Sequence, residues 1–214
     1  MISVFRIAGD PTCDAPMDNS ADDLVASYFR QSVSTMQLAA GDEKLHRTIR
    51  TIAELIESIF RTGNKLMIAG NGGSAGDAQH VAGEFLSRLN FDRAPLPAVA
   101  LSTDTSVLTA IGNDYGFEQV FERQVRGLGK RGDGFLAIST SGRSSNILTA
   151  LRAARELGIT TMGFTGAEGN LMSDLCDVCL FAPTKETPLI QQIHITAAHI
   201  VCNLVECSMF GRPA

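Results

Sequence analysis

Two residues four apart, His80 and Glu84, open the question of chemistry in the segment KLMIAGNGGSAGDAQHVAGEF, residues 65–85. At helical spacing they share one face, so an imidazole and a carboxylate stand side by side. Such a pair can shuttle a proton or supply half of a metal site; a plain surface contact is the alternative reading. Just ahead lies a turn, Gly70-Asn71-Gly72-Gly73-Ser74, with three glycines in four positions. Glycine there permits positive φ and close backbone approach to a ligand. Ser74 at the edge of the following helix is expected to cap it, leaving helix N–H groups to meet an anion or a sugar hydroxyl.

A second turn, ISTSGRSSN at residues 138–146, delivers Ser139, Thr140 and Ser141 to the end of an apolar run. Gly142 then turns the chain, and Ser144 and Ser145 lead into a helix. Consecutive hydroxyls with the free N–H groups of a helix start make a phosphate cradle that needs no lysine. Capping hydroxyls would explain such a turn equally well. Arg143 lies in the loop, but the Walker spacing and its lysine-serine ending are absent, which argues against nucleoside triphosphate chemistry.

The elements that must hold these turns follow from apolar spacing. Residues 21–40 and 43–62 read as two leading helices, the second with Leu45, Ile49, Ile52, Ile56 and Ile59 on one stripe, ending at Gly63-Asn64. Strands are expected at 66–69, 98–101, 135–139, 161–165 and 178–181. Helices are expected at 75–89, 117–128, 145–157, near 168–175, and at 189–210. Short apolar strands alternating with helices imply an α/β protein, a doubly wound five-stranded parallel sheet. In that architecture ligands bind at the carboxyl ends of strands, near the switch in strand order. The two leading helices exceed what one sheet face needs and suit packing between subunits. Residues 1–20 read as a loosely held, flexible tail, and 21–214 as a single domain.

At 214 residues with 44% apolar content, the chain can bury a sizeable core. A net charge of -5 makes nucleic acid an unpromising partner. No apolar run was expected to span a membrane, and no cleavable signal pattern opens the chain, so a cytoplasmic setting is expected. Cys176 and Cys179 have C-x-x-C spacing without a second pair at zinc-knuckle distance, so a reduced, packed pair is expected.

The ordered pieces AGNGGSAGDAQHVAGEF, LPAVALSTDTSVLTAIGNDYGFE, ISTSGRSSNI, GFTG and IQQIHITAAHIVCNLVE resemble the sugar isomerase (SIS) family, a flavodoxin-like phosphosugar-binding fold, and within it the phosphoheptose isomerases. The resemblance runs from about residue 65 to 210. It implies an aldose–ketose isomerase acting through an enediol on sedoheptulose 7-phosphate to give D-glycero-D-manno-heptose 7-phosphate, which feeds lipopolysaccharide-type glycans. It places the sugar on Asn71, Gly72, Gly73 and Ser74 and on Asn113 and Asp114, with Gln191 also lining it. The phosphate falls on Ser139, Thr140, Ser141 and Ser144. Glu84 and His199 match the catalytic acid–base pair, and His80, Glu84, Gln191 and His199 match the positions that bind zinc in some members. A homotetramer is implied too.

Gln191 and His199 are eight residues apart, about 12 Å along a helix. They reach one ion only by leaning together over the helix of His80; otherwise they come from different subunits. A site lined by more than one chain was the expectation. His194, between them, reads as a satisfied core or interface histidine, and His46 as a surface one. Some relatives carry an Asp where this chain has Pro188; Asp77 is a substitute acid, or else a cap or surface salt-bridge partner. Asp104 reads as a turn or cap residue. A different class of reading is a non-catalytic SIS adaptor that binds the replication initiator protein. That relative lacks the glutamate and the closing histidine, both present here. A DNA-binding sugar sensor and an amine-transferring synthase need segments beyond the single SIS-like unit.

Overall fold

In the computed structural model, residues 21–166 and 171–211 are described. The expectation of a loose tail at 1–20 falls outside them, as do three residues of the short helix expected near 168–175. Two helices lead the chain, α1 (Ala21–Gly41) and α2 (Glu43–Arg61). Asp42 separates them and caps α2, its carboxylate accepting from the Leu45 N–H at 3.0 Å. The expected stripe on α2 is buried throughout.

After the leading helices the chain alternates: β1 (Leu66–Gly70), α3 (Gly73–Leu86), β2 (Ala98–Ala100), α4 (Thr105–Tyr115), α5 (Glu122–Leu128), β3 (Gly134–Ile138), α6 (Ser145–Glu156), β4 (Thr160–Thr165), β5 (Val178–Phe181) and α7 (Thr187–Phe210). The strands form one parallel sheet in the order β2-β1-β3-β4-β5. Leu66 and Ile68 of β1 with Leu136 and Ile138 of β3 pack on one face against α2, α3 and α7. Met67, Ala69, Phe135 and Ala137 pack on the other against α5 and α6. Alternate residues of each strand thus feed two cores, and a strand buried on both sides reads as an unbroken apolar run.

The expected architecture holds, with local differences. The stretch expected as one helix over 117–128 is a single 3-10 turn, Phe117–Gln119, followed by α5. Helix α4 was not anticipated: none of its residues is fully buried, and only Leu108 and Ile111 pack, partly exposed, against the core. Asp104 is its N-cap, accepting from the Val107 N–H at 3.0 Å, as its turn-or-cap reading had it. Helix α7 is long and apolar enough to cross a membrane by length and composition, contrary to the reading that no such run exists. Here it packs on the sheet, with Ile190, Ile193, Ala197, Val201 and Val205 in the core.

Candidate active site

The strand order reverses between β1 and β3, and their register pairs Gly70 with Ile138. The residues that follow, Asn71 and Ser139, therefore leave the sheet side by side, bringing the glycine and serine turns together at its carboxyl edge. Their side chains confirm the junction. Asn71 and Asn146 exchange two amide hydrogen bonds, each 2.9 Å, linking the glycine turn to the start of α6. Asn146 was only the last letter of the serine motif in the sequence; buried, it is the brace between the turns.

Helix α3 starts two residues earlier than expected. Its N-cap is Gly72, with φ of 56°, a left-handed value that favours glycine, and no side chain caps the helix. Ser74 is not a cap: it is buried within the first turn. Gly73 is exposed, and a Cβ there would run into the carboxamide of Gln191. Gln191 thus reaches from α7 to the glycine turn, seven residues before His80 on α3. In the serine turn, Ser144 is the N-cap of α6 yet makes no capping bond; its hydroxyl pairs instead with Ser139 Oγ at 3.1 Å. Ser141 Oγ accepts from the Arg143 N–H at 3.2 Å, while Arg143 itself is exposed. Thr140 is half-buried, and its carbonyl accepts from the Gly166 N–H.

Where α3 crosses α7, His80 Nε2 lies 2.8 Å from His199 Nε2 and 3.1 Å from Glu84 Oε1. The ligand atoms of all three lie within 4.8 Å of one another. His199 therefore meets His80 and Glu84 within a single chain, and a second subunit is not needed to supply it. The side chain of Glu84 is 20% exposed and that of His80 is 46% exposed, so solvent reaches the group from one side. Two imidazole nitrogens and a carboxylate oxygen face one another there, and a cation between them would satisfy their lone pairs. Nitrogen and oxygen donors in this number suit zinc.

Other expected residues behave differently. Asn113 and Asp114 are exposed at the end of α4, bonded to each other at 2.8 Å. Asp114 faces a cavity of about 680 Å³ that it shares with Val107, Tyr115, Arg123 and Gln124. That cavity lies on the α5 side of the sheet, whereas His80 and Glu84 sit on the helix packed against the other side. His194 is a core residue as expected: it is fully buried beside the Phe164 ring, with the Thr165 backbone as its polar neighbour. Asp77 is neither cap nor salt bridge. Its Oδ2 is buried and unpartnered, and burial pushes its carboxyl above the usual range against the pull of His80. His46 is half-buried and bonds the Ala39 carbonyl at 2.9 Å. Cys176 and Cys179 are free thiols, packed together against Gly163.

Sequence reading missed Arg93 and Glu206, an ion pair with side chains 2% and 1% exposed. A signal was there: Glu206 is the one Asp, Glu, Lys or Arg residue between 187 and 210, and a charge on a buried helix must find partners.

A parallel sheet with a glycine turn and a hydroxyl turn at its switch point, beside a His–Glu–His group, defines a phosphosugar-handling α/β protein. Residues 27–166 match the model of the SIS domain. A phosphoheptose isomerase of Bradyrhizobium is 55% identical over 193 residues, covering 90% of this chain and 98% of that protein. One from Aneurinibacillus thermoaerophilus is 51% identical, covering 88% and 96%. Among solved structures, phosphoheptose isomerase GmhA from Neisseria gonorrhoeae superposes with a TM-score of 0.82 at 40% identity, covering 87% of this chain and 99% of that one. The chain belongs to the SIS domain family and, within it, to the phosphoheptose isomerases: it is a sugar-phosphate isomerase. The adaptor reading finds no support in these relatives.

Proposed function

We propose that the chain interconverts sedoheptulose 7-phosphate and D-glycero-D-manno-heptose 7-phosphate through an enediol. The observation that carries this reading is the meeting of His80, Glu84 and His199 in one chain beside the paired turns. Aldose–ketose exchange needs a base to lift the proton from the carbon beside the carbonyl, and an acid to manage the two oxygens. Glu84 takes the carbon proton and returns it to the neighbouring carbon. His199 gives a proton to the carbonyl oxygen and recovers one from the adjacent hydroxyl, so the enzyme ends as it began. The hydroxyls of Ser139, Thr140, Ser141 and Ser144, with the uncapped start of α6, hold the phosphate. Asn71, Gly72, Gly73, Ser74 and Gln191 line the sugar.

His80, Glu84 and His199 would hold a zinc ion, which supplies polarisation of the substrate carbonyl. Glu84 has two carboxylate oxygens, so ligation and proton transfer are compatible roles. Gln191, placed against Gly73, serves the sugar end in this reading. Asn113 and Asp114 contribute from a second copy of the chain. The assembly is a homotetramer, the setting cytoplasmic, and the product a precursor of heptose in lipopolysaccharide-type glycans.

The test is direct. Purified protein incubated with sedoheptulose 7-phosphate is expected to yield a new aldose phosphate, resolved by chromatography or NMR. Glu84→Gln and His199→Ala are each expected to lower kcat by about 100-fold or more. Near-normal turnover in either variant removes the corresponding assignment.

A further inference from the structure

The buried pair Arg93–Glu206 has no part in the chemistry above, yet its bonds tie the last turn of α3 and the segment after it to α7, and α3 and α7 are the two helices that carry that chemistry. Arg93 Nη2 donates to the Glu84 carbonyl at 2.7 Å, and Nη1 to the carbonyls of Phe85 at 2.7 Å and Ala94 at 3.0 Å. Its Nε donates to Glu206 Oε1 at 3.1 Å. Glu206 also accepts from the Leu89 N–H at 3.1 Å, the Asn90 N–H at 2.9 Å and Asn90 Nδ2 at 3.1 Å. The guanidinium therefore takes carbonyls from the last turn of α3, and the carboxylate takes N–H groups from the segment just after it. Both are tied to α7.

We infer that Arg93 and Glu206 are positioning residues, a latch that sets the separation of His80 and Glu84 from His199. Glu206 follows His199 by seven residues, about 10 Å along α7 and on the same face. Helices joined at one point can still slide and rotate about it; a second joint removes both freedoms. The reacting group needs this second joint, because a displacement of about 1 Å suffices to spoil such a constellation. An apolar pair of similar volume often serves a core as well as a buried ion pair, but here it would leave the Glu84 carbonyl and the Leu89 and Asn90 N–H groups without these partners. What an apolar pair lacks is direction. The planar guanidinium fork fixes the backbone carbonyl of Glu84 itself, and Glu206 carries that hold to α7, seven residues past His199.

The inference rests on the isomerase reading for its functional meaning, and its test separates the two. In the Arg93→Met/Glu206→Leu double variant the core remains filled and no buried charge is orphaned. Three readouts are taken: the His80–His199 separation in a crystal structure, the affinity for Co²⁺ alone from visible absorption, and kcat and KM for sedoheptulose 7-phosphate. The contact, 2.8 Å between Nε2 atoms in the native chain, is expected to open. Cobalt affinity and kcat are each expected to fall by about tenfold or more, as for losses behind a metal's own ligands. KM is expected to stay within about threefold, since the turns that bind substrate are untouched. A folded double variant with native separation, cobalt affinity and kcat overturns the latch. Should the double variant not fold, Glu206→Gln, which keeps shape and one accepting oxygen but discards the charge, decides by the same three readouts. If the native chain does not isomerise the ketose, the functional reading falls while the separation and the cobalt titration still judge the latch.

Discussion

His194 shares α7 with Gln191 and His199 but turns toward the sheet, its ring 5.6 Å from that of Phe164. Burial lowers its pKa from 6.5 to about 4, against an opposing hydrogen bond to the Thr165 backbone. The folded chain thus refuses a proton that the unfolded chain accepts. Its contribution to stability is intact above pH 6.5 and is lost as pH falls from there toward 4, reaching about 3 kcal/mol. His194→Leu is expected to flatten the difference in denaturant midpoint between pH 7 and pH 4.5; an unchanged pH slope would show that the imidazole does not titrate as described. Asn146 makes a second prediction at this scale. Asn146→Ala leaves the Asn71 carboxamide without its two partners, a loss of about 1–3 kcal/mol. With the turns uncoupled, KM for the sugar phosphate is expected to rise more than kcat falls, measured by initial rates.

At the scale of elements, the turns depend on how β1 and β3 end and α3 and α6 begin. Gly73→Ala brings a methyl group onto the Gln191 carboxamide, the far end of a flexible side chain. Gln191 swings away at little cost to folding, so the thermal midpoint is expected to hold while substrate affinity falls several-fold. A thermal loss as large as that of a core truncation would mean that the two residues are packed rigidly. The strands were legible because buried parallel strands are continuous apolar runs, and α2 because its stripe is regular. Helix α4 was not, since the face it turns inward, Leu108 and Ile111, is short and only partly buried. The start of α3 was misplaced because the serine looked like a cap, while the backbone of Gly72 takes that position without one.

For the whole molecule, α1 poses the question its sequence already raised. Leu24, Val25, Tyr28, Phe29, Val33 and Leu38 lie exposed along it, and only Thr35 is buried. Ile200 and Leu204 of α7 are exposed as well. An apolar surface of this kind on a chain with net charge -5 suits a second copy better than water. Phe29→Glu combined with Val33→Glu is expected to reduce the assembly to smaller species in sedimentation, with the α/β core still folded by circular dichroism. An unchanged sedimentation coefficient would place the subunit contact elsewhere.

The order of strands and helices, the two turns and the His80–Glu84 pairing were set by local sequence, because apolar period, glycine content and helical spacing act over a few residues. The meeting of His199 with that pair came from how α7 crosses α3, and no spacing along the chain encodes a crossing. The same holds for the Asn71–Asn146 bridge, the placement of Gln191 at Gly73 and the Arg93–Glu206 pair, whose partners lie 75 to 118 positions apart. Asp114 shows the same dependence: within one chain α4 sets it at the cavity it shares with Tyr115 and Arg123, and only the fold decided how far that lies from His80.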